Sequence, residues 1–246
     1  MPTRPWIIGH RGAPGQAPEN TMASFRRAVE LGATFIETDL RLSHDAKFVA
    51  MHDATLDRTS NGRGLVRDFT LAQLRELDAG SWHGQEFAGE KIPTLEEILN
   101  FAREADVVFY LEIKHESGWG VHHGVVSALR AANEPARTVV ISFEPSMLGQ
   151  LRRLDAGLLT GMLFENPMAD AIAKAQEIGA RQIAPRADLI TRELLSKARD
   201  AGLQVVTWTV NELAQMEQLI SLGVNGIMTD YPDRLREVVE RVCGKK

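Results

Sequence analysis

Two histidines, His10 and His52, each close a short apolar run. An imidazole titrates near neutrality, so either ring can take or give a proton. Two of them on opposite flanks of one reacting centre could do both jobs, although each also fits an ordinary hydrogen-bonded histidine. Glu37 and Asp39 stand two residues apart in Phe35-Ile36-Glu37-Thr38-Asp39-Leu40. In a strand, both carboxylates would leave the same face. Glu112 and Lys114 repeat that spacing in Phe109-Tyr110-Leu111-Glu112-Ile113-Lys114. Charges set among core residues are costly unless paired or metal-bound. Three carboxylates converging on one point, Glu37, Asp39 and Glu112, would form an all-oxygen site for one divalent cation, Mg2+ or Ca2+, with Mn2+ as a third option. A strand with one polar face, or a plain Glu–Lys pair, fits the same residues. Arg11 and Lys114 add positive charge, the guanidinium suited to bidentate contact with a phosphate and the ammonium acting as a point charge. Trp208 and Phe143 could wall an alcohol group or belong to the core. The remaining histidines, His44, His83, His115, His122 and His123, read as surface residues, His115 being the nearest exception because it follows Lys114.

Those residues fall at the ends of short β-branched runs. The candidate strands are Trp6–His10, Phe35–Leu42, Phe48–His52, Val107–Lys114, Thr138–Phe143, Leu158–Leu163, Gln182–Ala184, Val205–Val210 and Gly226–Thr229. Amphipathic segments alternate with them: Thr21–Leu31, Thr94–Ala105, Ser146–Leu154, Met168–Ile178, Thr191–Ala201, Asn211–Leu222 and Pro232–Val242. Thr94 followed by Glu97 is a capping-box signature. Strand–helix alternation repeated about eight times predicts parallel strands joined by helices, and the count favours a TIM (β/α)8 barrel over an open sheet. In such a barrel, polar residues at the C-terminal ends of strands form the active site. No Gly-rich dinucleotide fingerprint follows the first strand, and the nearest stretch, Gly118 to Gly124, misses the spacing by one residue. From about Asp53 to Pro93 the rhythm lapses, with one helix-like stretch at Leu71–Leu77. This segment is expected to be a small insertion near the barrel mouth within a single domain spanning 1–246.

The chain has 246 residues, 44% of them hydrophobic, enough for one large core. Its formal net charge of −5 lacks the global positive field of nucleic-acid binders, so no nucleic-acid partner is expected. The single cysteine, Cys243, cannot form an intrachain disulfide, which suits a reducing compartment. The N-terminus does not read as a signal peptide and no apolar run reaches the length of a spanning helix. A cytoplasmic protein without stable membrane insertion, monomeric or homodimeric, is expected. No Gly-x-Ser-x-Gly elbow, Walker A loop, His-Glu-x-x-His or Cys-x-x-Cys occurs.

An ordered set of motifs goes further. His10-Arg11-Gly12-Ala13, Pro18-Glu19-Asn20-Thr21, Glu37-Thr38-Asp39 and His52-Asp53 come first. Leu56-Asp57-Arg58-Thr59, Ile92-Pro93-Thr94-Leu95 and Leu111-Glu112-Ile113-Lys114 follow, then Trp208-Thr209-Val210-Asn211 and Gly226-Ile227-Met228-Thr229-Asp230-Tyr231-Pro232. Together they resemble the glycerophosphodiester phosphodiesterase family, bacterial and cytosolic type, across nearly the whole chain. The resemblance implies a TIM barrel of the phospholipase C-like phosphodiesterase type with a small insertion after the second strand. It implies metal-dependent hydrolysis of a small-molecule glycerophosphodiester to an alcohol and sn-glycerol 3-phosphate. It implies that Glu37, Asp39 and Glu112 hold the cation, that His10 and His52 are the acid/base pair, and that Arg11 and Lys114 hold the phosphate. One departure is Asp45-Ala46, where similar sequences often carry Asp-Gly. Two other readings stand beside this one: a lysophospholipase D-like phosphodiesterase, and a non-catalytic barrel that binds glycerol phosphates.

Overall fold

The computed structural model describes residues 3–114, 121–132 and 137–244. Eight strands run parallel and close on themselves: β1 (Trp6–Gly9), β2 (Phe35–Leu42), β4 (Val108–Ile113), β5 (Thr138–Ser142), β6 (Leu159–Phe164), β7 (Gln182–Pro185), β8 (Gln204–Thr207) and β9 (Gly226–Thr229). Pairing of β1 with both β9 and β2 completes the circle, which makes the fold a TIM barrel. Helices α1 (Met22–Glu30), α3 (Leu95–Glu104), α4 (Val121–Ala131), α5 (Pro145–Leu154), α6 (Ala171–Glu177), α7 (Arg192–Asp200), α8 (Leu213–Leu222) and α9 (Pro232–Cys243) surround it. Among the described residues, no helix is long and apolar enough to cross a membrane.

The barrel strands carry apolar residues on both faces because both faces are covered. Inward-pointing Ile8, Tyr110, Val139, Ile141, Leu163, Ala184, Val206 and Met228 pack as one cluster inside the barrel. This plug fills the interior, and Glu37 and Asp39 of β2 and Glu112 of β4 join it from two adjacent strands. Outward-pointing Ile36, Leu40, Phe109, Leu111 and Val140 meet apolar stripes of the helices, such as Phe25 and Ala28 of α1 and Ile98, Leu99 and Ala102 of α3. The capping box at Thr94 and Glu97 forms as its residue types predict.

Two elements differ from the sequence expectations. The run Phe48–His52 yields a short strand β3 (Phe48–Ala50) that pairs antiparallel with β2 and lies outside the closed barrel. The excursion from strand–helix alternation therefore begins at Ser43 rather than Asp53. It contains α2 (Leu71–Glu76), opened by a second capping box from Thr70 and Gln73, and a small core of its own: Val49, Met51, Leu56, Val66, Leu74, Ala79 and Ile92. The other difference is α4, which the sequence reading did not assign. Its buried Val121, Val125, Val126 and Leu129 are helically spaced, but two histidines and Gly124 obscure the pattern. His115 and residues 118–120 of the stretch Gly118 to Gly124 lie outside the described residues.

Candidate active site

His10 and Arg11 follow β1 and turn sharply into the loop before α1. Arg11 has φ of +52° and Gly12 of +93°. A Cβ on Gly12 would stand 2.3 Å from the Ser24 hydroxyl, so any other residue here would displace α1. Ser24 holds the turn, donating to the Arg11 carbonyl (3.0 Å) and accepting from the Ala13 N–H (2.8 Å). The turn aims the Arg11 N–H at Glu37 Oε2 (2.9 Å). It sends the guanidinium to Glu19 Oε1 (Nη1, 2.9 Å) and places Nε 3.2 Å from Asp39 Oδ2.

Glu37 and Asp39 share the inner face of β2, and β2–β4 register sets Asp39 directly across from Glu112. Oxygens of Glu37, Asp39 and Glu112 lie within 4.8 Å of one another, all three residues buried. Lys114 Nζ bridges two of them, 2.6 Å from Glu112 Oε1 and 2.7 Å from Asp39 Oδ1. Asn20, at φ +55°, orients Asp39. Its Nδ2 donates to Asp39 Oδ2 (2.9 Å), while its Oδ1 accepts from the Asp39 N–H (3.2 Å) and the Thr38 hydroxyl (2.8 Å).

The electrostatics of this cluster are unbalanced. Burial, together with the negative charge of Asp39, pushes Glu37 up to about 8. Burial and Asp39 also raise Glu112. Burial opposes ionisation of Asp39 as well, but Lys114 and Arg11 overcome it and hold that carboxyl well below the usual range. Glu37 Oε1 is buried with no hydrogen-bond partner among the described residues. An orphaned buried oxygen costs roughly 1–3 kcal/mol, more when charged. A hard divalent cation answers both observations, since it takes oxygen ligands and cancels the repulsion between neighbouring carboxylates. The three acids could therefore bind a metal.

Each histidine is held by a carboxylate. His10 Nδ1 lies 2.7 Å from Asp230 Oδ1, and Asp230 is itself fixed by Asn211, whose Nδ2 donates to Oδ2 (2.6 Å). His52 Nδ1 lies 2.7 Å from Asp53 Oδ1. Arg58 Nε donates to Asp53 Oδ2 (2.8 Å) and Arg58 Nη1 to Glu19 Oε2 (2.7 Å), so a chain of charges runs from His52 through Arg58 and Glu19 to Arg11. With Nδ1 engaged, Nε2 is the nitrogen left for chemistry in both rings. Burial lowers His10, yet the bond to Asp230 and the charge of Glu37 leave its pKa above 6.5. Burial also lowers His52, with Arg11 and Lys114 adding to the effect, and its pKa stays below 6.5. Opposite shifts suit a pair in which one ring starts protonated and the other neutral.

Every sequence-expected site residue except Asp39 lines one cavity of about 240 Å3: His10, Arg11, Glu37, His52, Glu112, Lys114, Phe143 and Trp208. Asp39 sits behind its wall, bonded to Lys114. A larger groove of about 610 Å3 between α5 and α6 brings no histidine and only one carboxylate, Glu177, so size does not mark the chemistry here. Phe143 and Trp208 pack edge to face, centroids 5.4 Å apart, and the Trp208 Nε1 donates to the Ala184 carbonyl (2.7 Å). The residues to which the sequence reading gave no role are the supporting ones: Glu19, Asn20, Asp53, Arg58, Asn211 and Asp230. All six stand within the motifs quoted above, and Asn211 and Asp230 also close strand runs, where a barrel gathers its active site.

A family model described as the glycerophosphoryl diester phosphodiesterase family matches residues 10–234. The chain belongs to this family. A glycerophosphodiester phosphodiesterase from Caldanaerobacter subterraneus subsp. tengcongensis is 37% identical over 239 residues, covering 96% of this chain and 98% of the relative. One from Bacillus subtilis is 34% identical, covering 96% of this chain and 87% of the relative. Among solved structures, an Oleispira antarctica phosphodiesterase in complex with the product sn-glycerol-3-phosphate superposes with a TM-score of 0.90 at 29% identity, covering 96% of this chain and 97% of the other. This family member is an enzyme, a glycerophosphodiester phosphodiesterase, and its substrate is a small molecule.

Proposed function

We propose that the enzyme hydrolyses glycerophosphodiesters to sn-glycerol 3-phosphate and the free alcohol, dependent on a divalent cation, with His10 and His52 exchanging the protons. The observation that carries the reading is the meeting of three buried carboxylates, one with an orphaned oxygen, beside two carboxylate-backed imidazoles in one cavity. The Oleispira structure adds a product that fits the same reaction.

Glu37, Asp39 and Glu112 would hold the cation, which when bound supplies Lewis acidity toward the substrate oxygens. Mg2+, Ca2+ and Mn2+ all suit an all-carboxylate set. Arg11 and Lys114 bind the phosphate and stabilise the charge that grows on its oxygens in the transition state. Asn20 and Lys114 keep Asp39 oriented. One imidazole Nε2 takes the proton from the glycerol 2-hydroxyl as its oxygen attacks phosphorus. The other gives a proton to the departing alcohol oxygen as the phosphorus–oxygen bond breaks. The cyclic phosphate is then opened by water with the two roles exchanged, so each ring ends in its starting state. Asp230 and Asp53 fix the tautomer and stabilise whichever ring is protonated.

The test is an assay of purified protein against glycerophosphodiesters with glycerol 3-phosphate detected enzymatically. Turnover is expected with Mg2+, Ca2+ or Mn2+, loss with EDTA and recovery when metal is restored. A rate indifferent to EDTA overturns the metal, and absence of glycerol 3-phosphate under every condition overturns the reaction.

A further inference from the structure

The cavity is divided. Arg11, Lys114 and the acids Glu37 and Glu112 stand on or directly after β1, β2 and β4, and His52 lines the same cavity. Four places round the barrel from β1 stands β6, and the residue that follows it, Glu165, lines the same cavity. Glu165 is exposed, with no hydrogen bond or ion pair among the described residues. Its electrostatic neighbour Arg186 is already committed to Asp188 through Nε (2.7 Å) and Nη2 (2.8 Å). Phe143, 41% exposed, and Trp208 line the same cavity as Glu165, their rings at 89° to each other like two walls of a corner. The floor between them is apolar: Ile141, Leu163 and Met228.

We propose that this half of the cavity is the subsite for the departing alcohol and that it selects alcohols bearing a positive charge, a quaternary or primary ammonium. The inference rests on the reading of the active site given above. With the phosphate held by Arg11 and Lys114, the alcohol extends away from the acids toward the opposite wall. That wall offers a cation two things: the electron-rich faces of aromatic rings and an uncommitted carboxylate. It offers a neutral polyol one acceptor carboxylate and, among the described residues, one side-chain hydroxyl, that of Thr209. Glu165 does not touch the reacting atoms. It acts on which diester is bound, through a charge placed beyond the phosphate.

The experiment measures kcat/KM for glycerophosphocholine, glycerophosphoethanolamine and glycerophosphoglycerol with saturating Mg2+, in the wild type, Glu165→Gln, Glu165→Lys and Phe143→Ala. The wild type is expected to favour the two cationic head groups over glycerol. Glu165→Gln should lower the ratio of choline to glycerol diester roughly three- to tenfold, in line with a partly exposed cation site, and Phe143→Ala should lower it also. Glu165→Lys should invert the order. High salt should compress the wild-type preference. A wild type that favours the glycerol diester, or a ratio unmoved by Glu165→Gln and Glu165→Lys, overturns the subsite while leaving the reaction intact. No turnover of any of the three diesters in the wild type overturns the reaction itself, and the subsite with it.

Discussion

His10 and His52 differ in what stands behind them: Asp230, directly after barrel strand β9, for one, and Asp53, in the segment outside the barrel, for the other. Replacing either with alanine removes a proton-transfer group, worth typically 10²–10⁴-fold in rate. His10→Ala and His52→Ala should lose that much turnover with near-wild-type circular dichroism, and wild-type turnover in either would remove the residue from the mechanism. Arg58 is a positioning residue, tied to Asp53 and Glu19 at once. Hydrogen bonds from Arg58 hold Asp53 below the ordinary carboxylate range. Burial alone would raise Glu19, but Arg58 and Arg11 outweigh it and the pKa falls. A carboxyl whose folded pKa is depressed adds stability that is complete above its unfolded pKa, near pH 4, and is lost as pH falls through the folded value. Arg58→Ala should therefore move the acid-unfolding midpoint to higher pH, read by circular dichroism, and lower kcat about tenfold with little change in KM. An unmoved midpoint would mean that the ion pairs contribute nothing to acid stability.

The segment from Ser43 to Pro93 is held to the barrel by antiparallel pairing of β3 with β2 and filled by its own small core. Leu74 on α2 is fully buried there. Leu74→Ala should cost about 2–5 kcal/mol if the cavity does not collapse. Urea unfolding measures the loss. Because His52 and Arg58 both lie in this segment, activity should fall along with stability. A variant with wild-type turnover but a weakened segment would show that His52 is held by the barrel alone. β3 also explains why the segment was read as shorter than it is. Phe48-Val49-Ala50 has the composition of a buried strand, and composition does not report direction.

Closure of eight strands brings residues separated by up to 220 positions, His10 and Asp230, into contact. It also concentrates Glu37, Asp39 and Glu112 where their charges repel. A cation that binds the folded chain and not the unfolded one stabilises it by mass action, about 2.7 kcal/mol at a hundred times its Kd. For a chain of this size that corresponds to a rise of roughly 5–11 °C in Tm. Differential scanning calorimetry with and without Mg2+ or Ca2+ should show a rise that Glu37→Gln reduces. A Tm that no divalent cation moves would count against the acidic cluster as a cation site.

Much of this was legible before any coordinates. The alternation of short β-branched runs with amphipathic segments announces a parallel barrel, since each period reports which faces an element must bury. The i, i+2 spacing in Glu37 and Asp39 and in Glu112 and Lys114 announces two charged pairs, each on one strand face, because side-chain direction in a strand follows from local geometry alone, whereas which face is the inner one does not. What local geometry cannot carry is which strands stand side by side. That Asp39 faces Glu112, that Asp230 backs His10 across the seam of the barrel, and that Glu165 lines the same cavity as Arg11 and Lys114 are consequences of ring closure and register. Contacts between residues distant in the chain depend on how the whole molecule packs, and no short stretch of residues contains that information.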